Sequence, residues 1–229
     1  MEENSTMKNL RFSIQAGLIC LAAFFILAGC SKEAPVNYTK GVYMLLDTSG
    51  TYTKELKKAQ GIINYLLGSL QPGDSFAVAR IDSGSFSEKD IIQKVSFDSR
   101  PSVATNQKRV FAQKIASFIE NVKSAPYTDI SGGMLQAVEW LNEINAGKKI
   151  ILIFSDMEEE LAQGHVRDFQ IPLEGFRVVA LNVTKLRADI QDPSVYLDRM
   201  NRWREKVEAG GGDFIVINDL DRLEAILQE

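Results

Sequence analysis

Ile150-Ile151-Leu152-Ile153-Phe154 is the stretch that most limits what this chain can fold into. A strand with one wet face alternates apolar and polar residues. A run with no polar position must be covered on both faces, as inside a parallel sheet flanked by helices. Val42-Tyr43-Met44-Leu45-Leu46 is a second such run, and 176–183 reads as a third strand. The segments between carry the 3.6-residue stripe of helices lying on a sheet. In 53–70 the stripe is Leu56, Ala59, Ile62, Ile63, Leu66, Leu67 and Leu70; in 107–122 it is Val110, Phe111, Ile115, Phe118, Ile119 and Val122; in 131–144 it is Met134, Leu135, Val138, Leu141 and Ile144. Further strands are expected at 76–81, at 91–97 on the sheet edge, and at 213–218. Helices are expected at 193–209, closed by Gly210-Gly211-Gly212, and at 220–227. Gln71-Pro72-Gly73-Asp74 reads as a turn and 100–105 as a loop. Strand and helix alternate from residue 41 to residue 229, which predicts one doubly wound, mostly parallel α/β domain of the Rossmann-like class.

The first forty residues read differently. Lys8 and Arg11 precede a mostly apolar stretch, 12–28, that ends in Leu27-Ala28-Gly29-Cys30. This is the layout of an export signal, with Met7 as an alternative start. The Leu-Ala-Gly-Cys ending resembles the lipobox of bacterial lipoproteins. That resemblance implies a signal peptide over 1–29, a lipid (palmitate-type acyl chains) on Cys30, and anchoring at the membrane of the cell envelope. The anchored face is the outer membrane and periplasm in a two-membrane cell, toward which Ser31 after the cysteine leans, or the outer face of a single membrane. An uncleaved signal anchor is the other reading. Residues 30–40, with Pro35, read as the lipidated cysteine and a linker. Cys20 and Cys30 are the two cysteines of the chain, so the domain has no disulfide and no thiolate chemistry. A net charge of −4 gives nucleic-acid binding no electrostatic support.

Each of two apolar strands is followed by an aspartate. Asp47-Thr48-Ser49-Gly50-Thr51 follows the first, and Ser155-Asp156 follows the most apolar one. Ligands of open α/β sheets bind beyond the carboxyl ends of the strands. Thr128, in the loop before the helix at 131–144, should reach the same end. Asp47, Ser49, Thr51, Thr128 and Asp156 then offer two carboxylates and three hydroxyls. These are hard oxygen donors suited to Mg²⁺ and unsuited to Zn²⁺.

The spacing of these segments resembles the von Willebrand factor A (vWA) domain and its metal-ion-dependent adhesion site. The family pattern is Asp-x-Ser-x-Ser, a threonine on a second loop, and an aspartate after a central strand. Thr51 stands where serine is usual and keeps the hydroxyl. Met157 stands where glycine is common and restricts the backbone. The resemblance implies binding of Mg²⁺ (or Mn²⁺) and capture of a protein partner whose own acidic residue completes the metal shell. It does not imply catalysis. Two other readings stay open. One is a metal-free interaction scaffold. The other is a Mg²⁺-dependent phosphatase-like enzyme starting from Asp-x-Asp-x-Thr, in which Ser49 would stand in the place of the general acid.

The remaining polar features have plainer readings. Asp129 is expected to cap the helix that follows it. Glu158-Glu159-Glu160 reads as a solvated acidic loop and not as a second cation site. His165 lacks a serine–carboxylate setting. Trp140 and Trp203 sit on helical stripes and should pack. Gly210-Gly211-Gly212 lacks the context of a nucleotide-binding loop.

Overall fold

A computed structural model describes residues 37–50, 52–82, 87–183, 186–217 and 220–228. Residues 1–36, on which the expected export signal and Cys30 fall, and Thr51 lie outside the described residues. Residues from Asn37 onward form a compact unit of their own, with a complete sheet and an apolar layer on each face of it.

Six strands make one sheet: β1 (Lys40–Asp47), β2 (Ser75–Ile81), β3 (Ile91–Ser96), β4 (Lys148–Phe154), β5 (Phe176–Leu181) and β6 (Asp213–Ile217). Their order across the sheet is β3-β2-β1-β4-β5-β6. All neighbours are parallel except β2 and β3, which run antiparallel at the edge with an irregularity between Val78 and Ala79. The sheet is the mostly parallel α/β sheet expected from the uninterrupted apolar runs. β1 shows why those runs do not alternate. Val42, Met44 and Leu46 enter one apolar layer while Tyr43 and Leu45 enter the other, and all five are fully buried.

The helices follow the same logic. α1 (Leu56–Ser69) is preceded by a 3₁₀ turn at Thr53–Glu55, and α2 (Pro101–Asn121) lies beside it on the layer that holds Val42. α3 (Ile130–Glu143) covers the opposite face, together with α5 (Pro193–Ala209) through Met200, Trp203 and Val207. A short α4 (Arg187–Gln191) precedes α5, and α6 (Leu220–Gln228) closes the chain over the first layer. Trp140 and Trp203 are both buried in the second layer, as their stripes suggested.

Three expectations need correction. The loop expected at 100–105 is the first turn of α2. Pro101 stands at its first helical position, where a fixed φ and a missing N–H cost nothing, and Val103 and Ala104 donate to the Arg100 carbonyl. Val110, expected inward, is exposed, because the face that meets the sheet is set by Ala104, Phe111 and Ile115. The strand expected at 176–183 pairs only to Leu181, since the chain turns at Asn182, where φ is +54°.

Candidate metal centre

The sheet reverses its winding at β1 and β4. The chain leaves β1 toward β2 on one side and reaches β4, on the other side, only after α3. The crevice beyond the carboxyl ends of these two strands is the place where such a sheet holds ligands. Leu46 pairs with Phe154 in the last step of the register, so Asp47 and Ser155-Asp156 emerge side by side.

Asp47 is fully buried. One carboxylate oxygen accepts from the Ser49 backbone N–H at 2.8 Å, and the other from the Ser155 hydroxyl at 2.7 Å. Ser155 Oγ in turn accepts from the Met157 N–H at 2.9 Å. One carboxylate therefore ties the loop after β1 to the loop after β4. A second tie comes from Tyr52, whose ring meets Phe154 edge-on and whose hydroxyl donates to the Asn182 carbonyl. Burial pushes that phenol well above its usual range.

Ser49 bridges to Ala125, with the Ala125 N–H donating to the Thr48 carbonyl at 2.8 Å. Thr128 and Glu160 exchange both backbone hydrogen bonds in a short antiparallel bridge. These two bridges draw the loop before α3 over the strand ends. A cavity of about 320 Å³ results, lined by Ser49, Thr128, Asp156, Glu158, Glu160 and Leu186 among others. Three of the five expected donors thus line one cavity, while Asp47 is fully buried and is not among its lining residues. Thr51, the fifth, lies outside the described residues.

Asp156 is 5% exposed and has the amide of Glu158 as a partner for one oxygen, at 3.0 Å. Burial raises its pKa to about 6, with the neighbouring Asp47 adding to the rise and Arg199 opposing it. A carboxylate this poorly solvated gains from any cation brought beside it. Among the described residues no three His, Cys, Asp or Glu side chains gather into a metal site by themselves. An ion here would lean on hydroxyl oxygens and water, as Mg²⁺ and Mn²⁺ tolerate. The donor set fits such an ion.

Met157 has φ +65° and is 1% exposed. The position does require the left-handed backbone that glycine adopts freely, and methionine holds it at a cost. Its side chain is turned into the apolar layer, and its carbonyl accepts from Trp203 Nε1 at 2.8 Å. It does not line the cavity.

Asp129 caps α3 as expected, accepting from the Gly132 N–H at 2.8 Å. Any side chain at Gly132 would meet this carboxylate at 2.6 Å, and one at Gly133 would meet Ile81 at 2.6 Å, so the helix start needs both glycines to sit this close to the sheet. Asp129 has a second partner that sequence reasoning missed: Arg167, at 2.5 Å. The acidic run is also more engaged than a solvated loop. Glu159 accepts from the Ser131 amide at 2.6 Å and its hydroxyl at 3.0 Å, and Lys206 reaches the same hydroxyl at 2.5 Å. Glu158 meets Arg199 at 3.4 Å. Arg199 is itself almost fully buried and holds Asp189 at 2.6 and 3.2 Å. Its place could have been read from the sequence, since positions 199, 203 and 207 share one helix face with Trp203 and Val207 on it.

No protein-family model matches the chain, and no curated protein matches it. Solved structures do. One is a von Willebrand factor type A protein from Catenulispora acidiphila, with 13% identity and a TM-score of 0.51, covering 83% of this chain and 41% of that one. Another is the pilus adhesin SpaC from Lactobacillus rhamnosus GG in its open conformation, with 13% identity and a TM-score of 0.54, covering 86% of this chain and 30% of that one. The chain spans less than half the length of either. With the strand order and the strand-end loops described above, these likenesses identify the fold as that of a von Willebrand factor A domain.

Proposed function

We propose that this chain is an envelope lipoprotein, carried on Cys30, whose vWA-type domain binds Mg²⁺ or Mn²⁺ and uses it to capture a protein partner. The observation that carries the reading is the convergence of Ser49, Thr128 and Asp156 on one cavity at the switch point of the sheet. Asp156 and the buried Asp47 supply negative charge, and Ser49, Thr51 and Thr128 supply neutral oxygens. Ser49, Thr128 and Asp156 would hold the ion, which would supply a Lewis acid able to attract an acidic residue of the partner. Asp47 fixes the Ser49 amide and the Ser155 hydroxyl, and so holds the two loops in register around the ion. Glu158 and Glu160 make the rim acidic, so a carboxylate from outside is repelled until the ion neutralises the pocket. The likeness to a pilus adhesin supports a role in protein interaction. No described helix is long and apolar enough to cross a membrane, and the tether in this reading is the lipid at Cys30.

A phosphatase-like reaction has less support. Its nucleophile would be Asp47, whose carboxylate is buried with both oxygens occupied. Calorimetric titration with Mn²⁺ tests the binding reading. Wild type should bind one ion and Asp156→Asn should bind at least about tenfold more weakly, since ligand charge sets affinity at oxygen sites. Equal binding by both would place the ion elsewhere and remove the reading. Lipidation is tested separately, by labelling cells with a palmitate analogue: the wild-type chain should be labelled and Cys30→Ser should not.

A further inference from the structure

The end of the sheet opposite the metal pocket has a chemistry of its own. A cavity of about 400 Å³ opens there, at the amino ends of β4, β5 and β6, and Gly147, Lys148, Lys149, Arg177 and Asp213 are among the residues that line it. Lys40 adds to the row. It pairs with Lys148 in the register of β1 and β4, which sets two lysines side by side on adjacent strands. Like charges placed so are unfavourable unless an anion offsets them.

The nearby carboxylates only partly do so. Asp213 faces Arg177 at 3.7 Å. Asp74 accepts from the backbone amides of Lys40 and Gln71 at 2.8 and 2.7 Å. Lys149 reaches Asn142 Oδ1 at 2.6 Å and lies over the Phe176 ring. Lys148, Lys149 and Arg177 against Asp213 leave the lining of this cavity positive, on a chain whose net charge is −4.

The described chain also begins here. The Asn37 side chain donates to the Asn145 carbonyl at 2.6 Å. The Asn37 carbonyl lies so close over Gly147, on the cavity rim, that a side chain at Gly147 would collide with it. The seven residues from Cys30 to Val36 span at most about 25 Å even when fully extended. A lipid on Cys30 would therefore keep this end of the sheet near the bilayer.

We propose that the basic end of the sheet docks on anionic phospholipid headgroups, with headgroup phosphates against Lys40, Lys148, Lys149 and Arg177. The inference takes its tether from the lipoprotein reading above. The acyl chains on Cys30 are one attachment, and a basic patch at the surface is a second. It also sets orientation. The strands run about 25 Å from this end to the metal pocket, so a domain seated on its basic end presents the pocket away from the membrane, toward a partner.

The test uses the independent unit, residues 37–229, which has neither the lipid nor the apolar leader. It is mixed with vesicles of phosphatidylcholine alone, and of phosphatidylcholine with phosphatidylglycerol, and sedimented. Binding should occur only with phosphatidylglycerol. It should fall about tenfold or more in Lys40→Gln/Lys148→Gln, and persist in Lys114→Gln on the far surface of α2. Circular dichroism melts of each variant show that the fold is kept. Inorganic phosphate at matched ionic strength should not displace the protein. Equal sedimentation with both vesicle types overturns the proposal, as does an unaffected double variant. Displacement by inorganic phosphate also overturns it, in favour of a site for the free ion. None of these failures touches the lipidation or metal titration tests, which use other variants and other readouts.

Discussion

The loops after β1 and β4 begin alike and end in different electrostatic states. Each follows a strand whose carboxyl end is buried, and each has an aspartate at the same end of the sheet. Asp47 finds an amide for one oxygen and a hydroxyl for the other. Asp156 finds one amide, and burial pushes its pKa up to about 6. The first carboxylate is a structural tie, and the second is buried with less to offset its charge. What separates them is Ser155, whose hydroxyl goes to Asp47 and not to its own neighbour. The β4 loop thus gives its best donor to the β1 loop and keeps an undersolvated carboxylate at the cavity.

The sharpest way to disturb this contrast is through Arg199, which anchors Glu158 two residues beyond Asp156. Arg199→Ala leaves Asp189 buried without its guanidinium partner, and should cost about 3–5 kcal/mol in urea unfolding. Replacing both, as Arg199→Met/Asp189→Leu, should recover most of that loss. A single variant as stable as wild type would show that the ion pair does not hold the β4 loop.

A second test isolates Asp156. Its folded pKa lies above the ordinary carboxylate value, so the folded state takes up a proton more readily than the unfolded chain. Stability from this group is fully present below about pH 4 and is lost as pH rises toward 6. In EDTA at pH 7, Asp156→Asn should therefore be more stable than wild type by about 2–3 kcal/mol, and the difference should vanish below pH 4. A variant less stable than wild type at pH 7 would mean that Asp156 is satisfied after all.

Met157 gives the smallest effect and separates backbone strain from packing. Glycine would relieve about 1 kcal/mol of left-handed strain. It would also remove a buried side chain whose loss costs about 2 kcal/mol or more. Met157→Gly should thus be less stable by about 1 kcal/mol, with metal affinity unchanged because the side chain does not line the cavity. A gain in affinity would show that methionine narrows access to the ion.

The contrast between the two aspartates was only half legible in the sequence. Uninterrupted apolar runs exposed the parallel sheet, and the position of Asp47, Ser49 and Asp156 after two of them placed their side of the crevice. Stripes on 53–70 and 131–144 placed the helices. The start of α2 was missed because 100–105 was read as a loop, although proline is at home in a first helical turn. α4 is too short to show a stripe. Arg167 and Lys206 act across long sequence separations, and a lone basic residue in a loop or on a helix carries no sign of its partner. Glu159 looked solvated because its neighbours are glutamates, yet the Ser131 amide and hydroxyl that hold it lie 28 positions away. The bridge of Thr128 to Glu160, which closes the cavity, is a backbone contact with no side-chain signature.

The most direct measurement of the central claim is a set of thermal melts of wild type, Asp47→Ala and Asp156→Asn, each in EDTA and in millimolar Mg²⁺ or Mn²⁺. A ligand that binds only the folded state at about 100 times its dissociation constant adds about 2.7 kcal/mol. For a domain of this size that is roughly 5–10 °C. Wild type should gain such a shift on metal addition, and Asp156→Asn at most about half of it, with Asp47→Ala likewise reduced, whatever their midpoints in EDTA. A wild-type midpoint unmoved by metal, or moved equally in Asp156→Asn, would contradict a cation at these strand ends and leave a metal-independent interaction domain.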